Sequence, residues 1–280
     1  MNAFFQVGWS LYPSVLIGFG VLTLLYAWVN RGQHTPLLQQ LIFHLGTLVG
    51  LLALVSPLDE MGDEFLFSAH MIQHLLLIFV TVPLWLIGTP SFLVDEIIPK
   101  PLEKSVRLLL APLPAFLLFT SVIWFWHIPA IYEAAQESET IHVLEHLCFI
   151  SAALIGWWPV LGPRSRKIPK PDAPLRLLYL FLLAIPCTSL AALLTFADTP
   201  LYPFYVSAPH IFGMEVLQDQ RLGGLLMWLP THMILLTALG FTFFTWFNNH
   251  EKEEANISYI TRDEGTNRKQ PSSEVRELGV

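Results

Sequence analysis

The chain has 280 residues, of which 54% are hydrophobic and only 13% charged, with a mean hydropathy of +0.54. A soluble globular domain carries charge on about a quarter of its residues, so this composition excludes that class and points to a bilayer as solvent. The net charge of −7 comes with no basic patch, which excludes a nucleic-acid partner, and two cysteines exclude a disulfide framework.

Taken in chain order, the apolar runs predict seven spans, at 9–29, 36–55, 65–88, 105–126, 139–161, 174–197 and 219–247. The first run has no positively charged leader and no small-residue cleavage pattern, and reads as a retained span. The second carries His44 and ends in Ser56-Pro57-Leu58-Asp59, residue types that end helices and make turns. The third holds His70-Met71-Ile72-Gln73-His74, with Pro83 further along. The fourth closes in Trp126-His127-Ile128-Pro129, and the fifth opens with His142-Val143-Leu144-Glu145-His146. The sixth contains Pro186. The seventh begins near Asp219-Gln220-Arg221, where Asp219 suits a cap of its own helix, and carries Pro230 and His232. Cys148 and Cys187 fall in different spans and read as small packing residues. Tryptophans, Trp157 among them, cluster near the expected ends, where amphipathic rings prefer the membrane interface. The expected organisation is a polytopic all-α bundle over 1–249 and a disordered tail over 250–280.

Positive charge sets the orientation. Of the 15 Lys and Arg residues, 14 fall in alternate connections and the tail, leaving Arg221 alone on the other side, where a local carboxylate such as Asp219 or Glu215 suits it as partner. Positive residues stay inside, so the N-terminus is expected outside and the tail in the cytoplasm.

Residues four apart on a helix share a face, so each histidine pair offers two imidazoles to one point. Counting about 1.5 Å per residue from the outer ends, His70 and His74 lie about 8 and 13 Å deep and His142 and His146 about 5 and 10 Å. His127 stands near the entrance, and His232 and His44 lie toward mid-membrane as deeper candidates. A hydrogen-bonding role between helices is the plain alternative for any one histidine. Imidazoles with nearby thioethers such as Met71 suit copper, with zinc as the alternative. Glu145 and Asp59 are candidate acceptors behind the ligands. Two other chemistries fit the pattern: His142-x-x-Glu145-His146 has the inverted zinc-protease spacing of a membrane hydrolase, and histidines on facing helices can ligate haem in an electron carrier.

Across most of residues 50–235 the ordered blocks Ser56-Pro57-Leu58-Asp59, His70 to Leu75, Trp126-His127-Ile128-Pro129, His142 to His146, Trp157-Trp158-Pro159, Leu201-Tyr202-Pro203 and Asp219-Gln220 through Met227-Trp228 resemble the seven-span CtaG-type assembly factors of cytochrome c oxidase. The resemblance implies a multi-pass protein of a bacterial cell membrane, not an enzyme, that helps form the buried copper centre beside haem in a caa-type oxidase. Its partners would then be the oxidase subunit carrying that centre and another copper donor.

Overall fold

In the computed structural model, residues 7–267 are described, with side chains as far as 252, and among them there are thirteen α-helices and no strand. Helices α1 (Pro13–Val29) and α2 (Leu37–Val55) pair first. Ser56 then caps the short polar α3 (Pro57–Glu64), its Oγ accepting from Leu58 N at 3.4 Å, with Pro57 in the first turn where its missing N–H costs nothing. α3 folds back across the start of α4 (Phe67–Leu75), and Gly62 permits the crossing, since a Cβ there would lie 2.8 Å from His70 N and Cα.

α4 continues through a π-helical stretch, Leu76–Thr81, into α5 (Val82–Gly88), making one apolar span over Phe67–Gly88. Val82 N reaches back to Leu77 O, which passes over the carbonyl of Ile78. Trp157 Nε1 donates to that carbonyl at 3.0 Å, so Trp157 is a core residue and not the interface anchor its position in sequence suggested.

The fourth expected span is broken. After α6 (Ser91–Ile97) and a 3₁₀ turn, Lys100–Leu102, the helices α7 (Glu103–Leu109) and α8 (Pro112–Trp126) meet at a 67° bend. Pro112 clashes with a helical conformation at Ala111, which sits at φ −69°, ψ 150°. There follow α9 (Pro129–Glu137), α10 (Glu139–Leu161), α11 (Ala173–Thr195), α12 (Pro203–Ser207) and α13 (Val216–Asn267). α13 shows no break at the boundary expected at 249, and residues 268–280 lie outside the described residues.

Among the described residues five helical segments are long and apolar enough to cross a membrane, six if the bent pair counts as one, against seven expected; α1 is apolar but has only 17 residues. Burial runs opposite to that of a soluble protein. Leu24, Leu45, Leu147, Phe181 and Phe244 face outward, whereas His70, Gln73, Thr81 and Glu145 are fully enclosed. Such an apolar exterior is stable in lipid and not in water, so this is a membrane protein. α4 and α10 run through its core with α8, α11 and α13 around them, and a glycine brings α10 close: a Cβ at Gly156 would strike the Phe119 ring at 2.7 Å.

Candidate metal centre

α4 and α10 each present two imidazoles one turn apart, and the fold brings the four together. Ring centroids lie 4.1 Å apart for His70 and His74 and 4.4 Å for His142 and His146. Across the helices His70 is 5.4 Å from His142, and His74 is 5.3 Å from His146. Two overlapping donor sets result. The ligand atoms of His70, His74 and His146 lie within 4.8 Å of one another, as do those of Asp63, His70 and His142.

Asp63 is the residue that helical spacing missed. It sits on α3, and its Oδ1 lies 3.5 Å from His70 Nδ1 and 3.6 Å from His142 Nε2. Burial, reinforced by Glu64 and opposed by His142, pushes its carboxyl up to about 6. Burial, and then Asp63, pushes Asp59 up to about 7. Nearby positive charge would favour the ionised form of both carboxyls.

Ordinary hydrogen bonding does not account for the donor set. His70 Nε2, both ring nitrogens of His74, His142 Nε2 and His146 Nε2 are buried with no hydrogen-bond partner. Buried polar atoms are nearly always paired, and an unpaired one costs about 1–3 kcal/mol. A metal bound by neutral imidazoles would relieve that cost, and nitrogen with one carboxylate oxygen fits copper or zinc.

The other expected candidates separate. His127 caps α8 and is buried; its Nδ1–H donates to Ile123 O at 2.7 Å, and its Nε2 has no partner. It belongs to neither donor set, nor does Glu145, which is fully enclosed on α10. Burial raises the phenols of Tyr132 and Tyr205 well above their usual range. Asp59 accepts from Gln73 Nε2 at 2.6 Å instead of orienting an imidazole. Met71, one residue past His70, is buried in the core and lies on the side of α4 that His74, three residues on, also faces. His232 is engaged elsewhere, donating from Nδ1 to Trp228 O at 2.7 Å with Thr188 Oγ1 2.6 Å from Nε2. His44 packs edge-on against Tyr26 and Phe43.

Asp219 serves another helix as well as sitting in the first turn of its own. Its carboxylate accepts from Phe67 N at 2.6 Å and Ser68 N at 3.2 Å, capping α4, the helix that carries His70. Arg221 donates to Ala197 O at 3.1 Å, not to the carboxylates expected for it.

Residues 21–249 match the family described as cytochrome c oxidase caa3 assembly factor. Two similar proteins, both uncharacterised, come from Mycobacterium bovis and Mycobacterium tuberculosis; each is 23% identical over 246 residues, covering 79% of this chain and 36% of theirs. The chain thus spans about a third of the length of the curated relatives it matches. No solved structure matches it.

Proposed function

The chain belongs to the cytochrome c oxidase caa3 assembly factor family, and from that premise we propose that it takes up copper at Asp63, His70, His74, His142 and His146 and helps place it in the oxidase. The observation that carries this reading is the convergence of five buried imidazole nitrogens that no hydrogen bond uses. In this reading the protein spans a bacterial cell membrane seven times, with its N-terminus outside, its tail in the cytoplasm and the histidines near the outer face. Copper is cargo: it enters past the acids of α3, is held by neutral imidazoles, and leaves by ligand exchange to the oxidase subunit that carries the buried copper centre. Another copper donor supplies it from outside.

Neither alternative chemistry gains from the geometry. For hydrolysis the chain offers only the His142-x-x-Glu145-His146 spacing, and the family it belongs to is one of assembly factors. A haem between axial histidines needs a slot for its macrocycle, and the cavity beside the α4 and α10 imidazoles measures only about 40 Å³. Zinc remains the competing ion, since the same donors suit it.

Elemental analysis of the detergent-purified protein tests the reading. Copper should be retained in preference to zinc and should fall in His70→Ala and His146→Ala while the protein stays folded. Unchanged copper in both variants would overturn it. In cells lacking the protein, the oxidase should contain haem but be deficient in copper.

A further inference from the structure

A cavity of about 40 Å³ lies beside the histidine cluster, and its wall holds Met71, His74, His127, Cys187 and Met227. With Thr231 aside, the rest of the wall is aliphatic and aromatic. We propose that this cavity is a second copper chamber, selective for Cu(I), which receives the ion from the histidine cluster through His74, the residue common to both. The proposal rests on the copper reading above and adds to it a place, an oxidation state and a direction of transfer.

Packing alone explains a buried methionine or cysteine, so the histidines decide the matter. His74 is almost fully buried and neither of its nitrogens has a partner; His127 is more than nine-tenths buried and only its Nδ1 is used. The Nδ1–H bond to Ile123 O fixes the His127 tautomer and leaves an unprotonated Nε2. That is the arrangement by which metal-bound histidines are usually oriented. Two such imidazoles therefore share a wall with two thioethers, Met71 from α4 and Met227 from α13, in a space with room for more than one water-sized particle.

The two chambers differ in kind. The outer set includes a carboxylate and suits Cu(II), zinc or Cu(I); the inner wall has no carboxylate, and thioether with imidazole selects Cu(I). Transfer needs no electron and no proton. The ion stays Cu(I), its bonds to His70 and His146 break as bonds to thioether sulfur and to His127 Nε2 form, and every ligand gained or lost is neutral. On this span the chamber wall runs from Met71 to Phe79, so an ion in it lies deeper in the membrane than one held at His70.

Copper K-edge absorption on the intact protein, loaded anaerobically with Cu(I) in detergent, reads the chamber directly. Sulfur scatterers should be present beside nitrogen in the wild type. Met71→Leu with Met227→Leu, close in volume and chosen to keep the fold, should lose the sulfur contribution while Cu(II) added separately still gives the histidine signal by electron paramagnetic resonance. His70→Ala with His142→Ala should do the reverse, losing the Cu(II) signal and keeping sulfur-bound Cu(I). A wild type with nitrogen scatterers only, or a sulfur contribution that survives the double leucine variant, would overturn the proposal. If the outer cluster binds no copper in either oxidation state, the function proposed above fails, and loading of the chamber through His74 fails with it, even where sulfur-bound Cu(I) persists.

Discussion

Histidines at two places in this bundle meet the same apolar surroundings and are treated in opposite ways. His232, on α13, has both ring nitrogens within hydrogen-bond distance of an oxygen, Trp228 O within its own helix and Thr188 Oγ1 on α11. His70, His74, His142 and His146, on α4 and α10, leave five nitrogens unpaired although carbonyls and hydroxyls lie throughout the same bundle. The first is what a histidine looks like when its work is to join helices. The second is a donor set assembled at the expense of stability, and such local conflicts tend to mark function.

The contrast predicts a hierarchy of effects. The largest is on copper. Removing His70, which belongs to both donor sets, should abolish binding, whereas His232→Ala should leave copper content unchanged; equal loss in the two variants, measured by elemental analysis, would erase the distinction. Asp63→Asn comes next. It keeps the shape and removes the charged donor next to His70 and His142, and a loss of at least about 10–100-fold in copper affinity is expected, the cost of losing even a group that only orients a ligand. Gly62→Ala should produce a similar loss by another route, because its Cβ forces α3 off the His70 backbone and takes Asp63 with it. A competition titration with a chelator measures both, and an affinity unchanged in Gly62→Ala would show that α3 does not hold the site together.

Smaller again is Asp219→Ala. Two N–H groups at the start of α4 lose their acceptor, which should cost about 0.5–2 kcal/mol of stability, comparable with an N-cap elsewhere. Copper should still bind to the folded fraction. Thermal unfolding in detergent, followed with and without copper, separates the two effects.

What could be read from sequence and what could not follow from one distinction. The imidazoles were legible because residues four apart on one helix must share a face, and the apolar runs around them fixed the solvent. Asp63 was not, because it reaches the site from a separate short helix whose crossing depends on Gly62, and neither fact has a periodic signature. The partner of Asp219 lies more than 150 residues away, so local capping logic assigned it to its own helix alone. Glu145 shows the limit of spacing itself: three residues from His142 and one from His146, it is enclosed in the same helix yet its oxygens join neither donor set. The bend at Ala111 was written in Pro112 but hidden by continuous hydrophobicity across 105–126.

The smallest expected effect is also the most discriminating. Replacing a hydrogen-bonded buried group strands its partner, whereas replacing a group that has no partner strands nothing and can even stabilise the fold. In metal-free protein, His232→Leu should therefore lower stability by about 0.5–1.5 kcal/mol, since the half-buried ring loses an interaction at both Nδ1 and Nε2 while the Thr188 hydroxyl can still donate to Ala184 O. His74→Leu should be neutral or stabilising under the same conditions, because both nitrogens it removes are already unpaired. Added copper should then stabilise the wild type and do little for His74→Leu, since a ligand that binds only the folded state raises stability in proportion to its occupancy. Unfolding curves of the three proteins, each with and without copper, test the whole comparison at once. A His74→Leu variant as unstable as His232→Leu without metal would mean that His74 already has a hydrogen-bonding role, and the case for a donor set held open for an ion would lose its main support.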